Sequence, residues 1–173
     1  MAKVIILSRF FPAYHIRKGE PTYFAEKLLN MLDLNYEGGD YKKILSSLNP
    51  AKKDICKEFL NSLSNTDEIK GHTIRAGNRF KAGDKASLRV WSGKPYRSKQ
   101  IIIAPETEIK KVWDFKIMGG NVFLPPHEYL DDELLTRIAQ NDGLTLTDFV
   151  SWFKNFSEYF DGQVICFNEN INY

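Results

Sequence analysis

Apolar positions change their spacing several times along this chain, and each change marks an element. Val4 to Leu7 is a short, mostly β-branched run that ends in polar Ser8-Arg9, the pattern of a buried first strand. An aromatic turn from Phe10 to His15 follows. Phe24, Leu28, Leu29 and Leu32 then recur at helical spacing and predict a helix over about 23–32, with Thr22 as its cap. After Gly38-Gly39 come two amphipathic patterns, 41–48 and 50–63. Pro50 suits a first helical turn, and Ile55, Phe59, Leu60 and Leu63 share one stripe. These read as a helical insertion at about 35–66.

From Gly71 the period falls towards two. Strands are predicted at 72–75, 85–92, 100–104 and 108–118, separated by Gly- and Pro-containing loops. Gly119-Gly120 and Pro125-Pro126 punctuate the next stretch. Asp131 or Asp132 starts a helix to about Gln140, with Gly143 closing it. Thr145-Leu146-Thr147-Asp148 has the form of a capping box for a helix carrying Phe149, Trp152, Phe153 and Phe156. Residues 162–167 make a closing strand. The order predicts a single α+β domain over 1–173, a mixed β-barrel with helices across its ends and the helical insertion packed on it.

The formal net charge of +2 says little about partners, but its distribution says more. Residues 69–99 hold Lys70, Arg75, Arg79, Lys81, Lys85, Arg89, Lys94, Arg97 and Lys99 against the single acid Asp84, while residues 128–148 are acidic. That is the pattern of a localised anion-binding face, and equally of strand edges solvated by lysines. Cys56 and Cys166 lack metal-ligand spacing and read as small core residues of a reducing compartment. The start is too short and strand-like for a signal peptide, and no apolar run approaches the roughly 18 residues of a membrane span. A cytoplasmic protein without membrane contact, metal or cofactor is expected.

Lys70-Gly71-His72-Thr73-Ile74-Arg75, followed by Phe80-Lys81-Ala82-Gly83-Asp84, resembles the ASCH superfamily, whose fold is a PUA-like barrel. The segment from Ala139 to Phe149, then an aromatic helix, then Val164-Ile165-Cys166-Phe167, is similar to the closing part of small ASCH proteins that hydrolyse N4-acetylcytidine. The resemblance covers 1–34 and 69–167 and omits the helices of 35–66. It implies a catalytic set of Lys70, Thr73 and a carboxylate at Asp142, with Arg75 two residues beyond the threonine. Where the family has glutamate this chain has aspartate, one methylene shorter, and a misplacement of about 1 Å can lower a rate roughly 10²-fold.

The chemistry is coherent. A threonine hydroxyl is a poor nucleophile, and a lysine of depressed pKa can take its proton. A carboxylate can carry that proton to the leaving amine, and Arg75 can hold developing negative charge or a phosphate. Without the resemblance, Lys70 reads as a strand end, Thr73 as a β-former and Asp142 as a turn residue.

The stretch Trp91-Ser92-Gly93-Lys94-Pro95-Tyr96-Arg97-Ser98-Lys99 joins two aromatics and three cations around a turn. Such interleaving stacks bases and meets phosphates, and His72, Arg75 and Arg79 extend the patch. It is also the pattern of a hairpin whose Trp91 and Tyr96 pack on each other. His15 is placed near the same cleft, and a loose likeness of Lys18-Gly19-Glu20 to a family loop adds Glu20. Three readings follow: a module binding RNA or a modified pyrimidine nucleoside, an amidohydrolase of N4-acylated cytidine, and a module gripping a protein partner through residues 40–63.

Overall fold

The computed structural model describes residues 2–32, 68–127 and 129–173. The predicted insertion, its proposed protein-binding surface at 40–63 and Cys56 lie outside the described residues. Seven strands in two sheets and three α-helices make up the regular structure of the described residues.

The first sheet has the order β1-β3-β4. β1 (Lys3–Ile6) runs parallel to β3 (Lys85–Trp91), so that Ile5 faces Leu88 in register and both are buried. β4 (Gln100–Glu108) pairs antiparallel with β3 and runs four residues beyond the predicted end at Ala104. Pro105 lies within this extension. Proline is tolerated here because β4 is an edge strand and its register against β3 shifts between Ala86 and Leu88.

The second sheet is antiparallel, with the order β2-β7-β5-β6. Its strands are β2 (His72–Ala76), β5 (Lys111–Met118), β6 (Asn121–Phe123) and β7 (Phe160–Cys166). Gly119 and Gly120 join β5 to β6, with φ of 60° and 81°, the two-residue turn that glycines permit. At the Ala76–Gly162 pair the backbones of β2 and β7 come so close that a Cβ on Gly162 would lie 2.2 Å from the Arg75 carbonyl oxygen. The absence of a side chain at 162 therefore sets where Arg75 sits.

The closed barrel expected from the sequence is not formed by the described strands. No backbone ladder joins β1 to β2. Instead the Arg75 guanidinium donates to the Ile6 carbonyl at 2.6 Å, and the Gln163 amide exchanges hydrogen bonds with the Phe80 backbone at 3.0 and 3.2 Å. The Arg75 side chain thus spans from β2 to β1 where a barrel would close with main chain, while Gln163 ties β7 to the loop after β2.

α1 (Phe24–Met31) lacks the predicted cap. Tyr23 occupies the N-cap position in the left-handed region, and Thr22, one residue earlier, accepts from the Phe24 amide at 3.4 Å while donating its hydroxyl to the Ser8 carbonyl at 2.6 Å. α2 (Asp132–Asn141) is capped by Asp131, which accepts from the Leu134 amide at 2.7 Å. α3 (Leu146–Trp152) is capped by Thr145, which accepts from the Asp148 amide at 3.1 Å. Phe149 and Phe153 pack with Phe115 of β5 and join one contiguous core with residues of both sheets and α1. Cys166 is a buried thiol, and burial pushes it above its ordinary value.

Candidate active site

A helix ends with carbonyls that nothing inside it satisfies, and with partial negative charge. The C-terminus of α2 meets that demand from three sides. The Gly71 amide donates to the Asn141 carbonyl at 2.8 Å, Lys27 of α1 to the Gly143 carbonyl at 2.8 Å, and Lys70 Nζ to the Asp142 carbonyl at 2.7 Å. Gly143, at φ 76°, turns the chain immediately afterwards. Asp142 thus stands where a helix end disfavours a carboxylate, and Lys70 compensates by bonding its Oδ1 as well as its carbonyl.

This ion pair is sealed. Lys70 is 1% exposed and Asp142 6% exposed. The Lys70 ammonium also lies 3.9 Å from the centroid of the Phe24 ring, a cation–π contact. Burial pushes the Lys70 amine down to about 8, although Asp142 pulls it back up. Burial likewise raises the Asp142 carboxyl above its usual value, with Lys70 and Arg75 opposing. Desolvation acts on both partners in the direction of neutrality, and their mutual attraction resists it. At a value near 8, about a tenth of Lys70 is neutral at pH 7.

His72 completes the cluster. Its ring is fully buried on β2, and its Nδ1 is 2.8 Å from the Tyr173 hydroxyl. Tyr173 in turn accepts from the Asn141 side-chain amide at 2.9 Å. His72 Nε2 is 4.0 Å from Asp142 Oδ1 and is a buried polar atom with no hydrogen-bond partner. That separation is not an ion pair, because burial and the Lys70 charge hold the imidazole neutral, well below its ordinary value.

Arg75, half-buried, is lowered by its own desolvation and supported by Asp142, and it keeps its charge as arginines do. Thr73 is 2% exposed. Strand alternation turns its side chain to the face opposite His72, and its hydroxyl bonds to no described residue. The expected trio is therefore met as a joined pair, Lys70 and Asp142, with Thr73 on the neighbouring strand position but not bonded to either. Lys70 is no solvated strand end and Asp142 no free turn residue. A cavity of about 640 Å³ lies against the backbone that carries the pair, lined by Lys27, Ile69, Asn141, Gly143 and Leu144 among others. Neither charged partner lines it.

The remaining expected site residues lie elsewhere. His15 is 3% exposed and stacks on Phe11 at 4.3 Å. Its Nε2 bonds to the Asp148 carbonyl at 2.9 Å and its Nδ1 accepts from the Arg17 amide at 3.0 Å. Both ring nitrogens are thus bonded within the fold. Glu20 is exposed and pairs with Arg17 at 2.8 Å, away from Lys70. Arg79 is exposed, its guanidinium 5.0 Å from the Phe80 ring centroid. Trp91 and Tyr96 pack together with ring centroids 5.4 Å apart. Lys94, Tyr96, Arg97 and Lys99 are all exposed on the β3–β4 turn, Tyr96 at 90%.

Sequence reasoning missed Phe24, Lys27, Asn141 and Tyr173. Phe24 and Lys27 share a helix that read only as core and solvent faces, and Tyr173 lies in a tail that read as polar. Among the described residues no group of three or more His, Cys, Asp or Glu is placed to hold a metal ion. No helix among them is long and apolar enough to cross a membrane. No family model matches the chain, and no curated protein or solved structure matches it significantly.

Proposed function

We propose that this protein hydrolyses a small N-acylated pyrimidine nucleoside of the N4-acylcytidine type, with Lys70 as proton acceptor and Asp142 as proton carrier. The observation that carries the reading is the sealed Lys70–Asp142 pair, whose lysine is held near 8. A lysine that is partly neutral at working pH is a competent base, and perturbed, paired groups of this kind concentrate at reacting sites. Their burial favours a small reacting group over a phosphate backbone, which would seek exposed cations.

In the proposed reaction a hydroxyl attacks the acyl carbon while neutral Lys70 takes its proton. Asp142 relays that proton to the exocyclic nitrogen as the C–N bond breaks and cytidine leaves; if the attacking hydroxyl is a side chain's, water then cleaves the acyl ester and restores it, and if it is water's, the carboxylic acid leaves directly. Arg75 balances charge on the acyl oxygen. By the ASCH resemblance the attacking hydroxyl belongs to Thr73, whereas the placement of Thr73 on the strand face opposite His72 favours a water molecule, and the Thr73 variant decides between the two. The same resemblance leads us to propose that the two sheets are an opened PUA-like barrel, with Arg75–Ile6 marking its seam.

The test is cytidine release from N4-acetylcytidine by the wild type, Asp142→Asn and Thr73→Ala. Release lowered about 10²–10⁴-fold in Asp142→Asn is expected. Loss in Thr73→Ala identifies its hydroxyl as the nucleophile, and unchanged release there assigns the attack to water. No release from folded wild type overturns the hydrolase reading.

A second reading rests on a different observation, the exposed Tyr96 among exposed Lys94, Arg97 and Lys99. That turn suits a single-stranded RNA base and its flanking phosphates. RNA titrations across salt, with Tyr96→Ala and Arg97→Glu, test it; unchanged affinity in both variants rejects it.

A further inference from the structure

His72 Nε2 is the one buried side-chain polar atom among the described residues without a partner. Such atoms are uncommon and ask for an explanation. Its protonation follows from its neighbours. The Tyr173 hydroxyl already accepts from Asn141, and its own hydrogen finds an acceptor in His72 Nδ1 at 2.8 Å. With Nδ1 accepting, a neutral imidazole carries its hydrogen on Nε2. The opposite tautomer would aim a bare lone pair at the Asp142 carboxylate 4.0 Å away and strand the tyrosine hydrogen.

We propose that His72 is a positioning residue whose Nε2–H becomes the hydrogen-bond donor to Asp142 when Lys70 has lost its proton. While Lys70 is an ammonium it occupies Asp142 Oδ1, and His72 waits beyond bonding distance. Once Lys70 is neutral, the buried carboxylate lacks a counter-charge at that oxygen. Rotation of the Asp142 side chain then closes the 4.0 Å gap to an ordinary bond of roughly 2.9 Å. The carboxylate changes partner and is never left bare.

The groups facing this exchange come from four elements. Lys70 and Arg75 flank from the β2 segment, Lys27 from α1, Tyr173 from the C-terminal tail, and Cys166 of β7 is the register partner of His72. Arg75 keeps its charge as arginines do, and the Arg75 and Lys27 charges both favour the ionised carboxylate, so the exchange falls to the His72 and Lys70 donors. The use of this exchange in turnover rests on Lys70 being the base; the exchange itself does not.

The experiment needs no substrate and so separates this inference from the hydrolase reading. The ¹⁵N shifts of His72 are to show the Nε2–H tautomer, and Tyr173→Phe is to erode it. Lysine-Cε-labelled protein gives the Lys70 titration by NMR. His72→Asn keeps an amide near the Nδ1 position and removes the Nε2 donor, so Lys70 is expected to titrate about one pH unit higher. His72→Gln restores a donor at the Nε2 position and is expected to return the titration to within about 0.3 units of wild type. An Nδ1–H tautomer, or one common Lys70 titration in all three proteins, overturns the proposal.

Discussion

The α2 terminus and the β3–β4 turn both gather charges and aromatic rings, yet they treat them in opposite ways. At Lys70 the charge is enclosed: carboxylate, carbonyl and ring face surround one ammonium. Around Tyr96 the cations stand in water, and the ring contact to Trp91 is the turn's main internal packing. Identical residue types therefore carry different weight. A lysine becomes a chemical group when its solvent is taken away, and remains a solubilising one when it is not.

Breaking the pair is the largest test of that contrast. Lys70→Met leaves Asp142 buried and unpaired, and urea unfolding should register a loss of about 3–5 kcal/mol. The double variant Lys70→Met, Asp142→Leu removes the orphan charge and should regain most of it. Equal losses in single and double variants would show that the helix-end carbonyls, not the charge pair, set the requirement.

Acid should act next, through His72. Its folded value lies well below 6.5, so between the two values the unfolded chain binds the extra proton and stability rises with pH. Stability attributable to His72 is therefore lost as pH falls below 6.5, by up to about 1.4 kcal/mol per unit, and His72→Gln should flatten that part of the profile. Lys70 has the same sign in a higher window: folded near 8 against 10.5 unfolded, it makes stability rise between those values. The charge-free double variant should lose that rise.

The smallest effect is expected at the turn. Tyr96→Ala, Lys94→Ala and Arg97→Ala should each shift stability by no more than about 0.5 kcal/mol, as exposed sites do. A larger loss in Tyr96→Ala would mean that its contact with Trp91 holds the hairpin and that the contrast between the two regions is overstated.

The legible and illegible parts of this molecule divide on physical lines. Local chemistry was readable: Thr145 caps α3, Asp131 caps α2, and Gly119-Gly120 make the tight turn. Each of these is decided within four residues. Lys70 and Asp142 were singled out through a family likeness, and nothing in the pattern of polar positions announced that they meet. Tyr173 gave no signal, because a polar tail and a tail that plugs a cluster look alike in sequence. The barrel expectation ran ahead of the chain because the Arg75 side chain bridges β2 to β1 and Gln163 holds the loop after β2, contacts that strand periodicity does not encode. The four residues of β4 beyond Ala104 include Pro105, acceptable because β4 is an edge strand, a position that local sequence does not reveal.

The cluster's parentage in the chain also sets when it can exist. Lys70 and Asp142 are 72 positions apart, and Tyr173 and His72 are 101 apart. Contacts of such separation carry a loop-closure cost that nearer packing must offset. A nascent or half-folded chain therefore keeps Lys70 as an ordinary hydrated ammonium and His72 as an ordinary imidazole. The unusual chemistry exists only where the α2 terminus has docked on the segment leading into β2, so the Lys70 titration reports that docking.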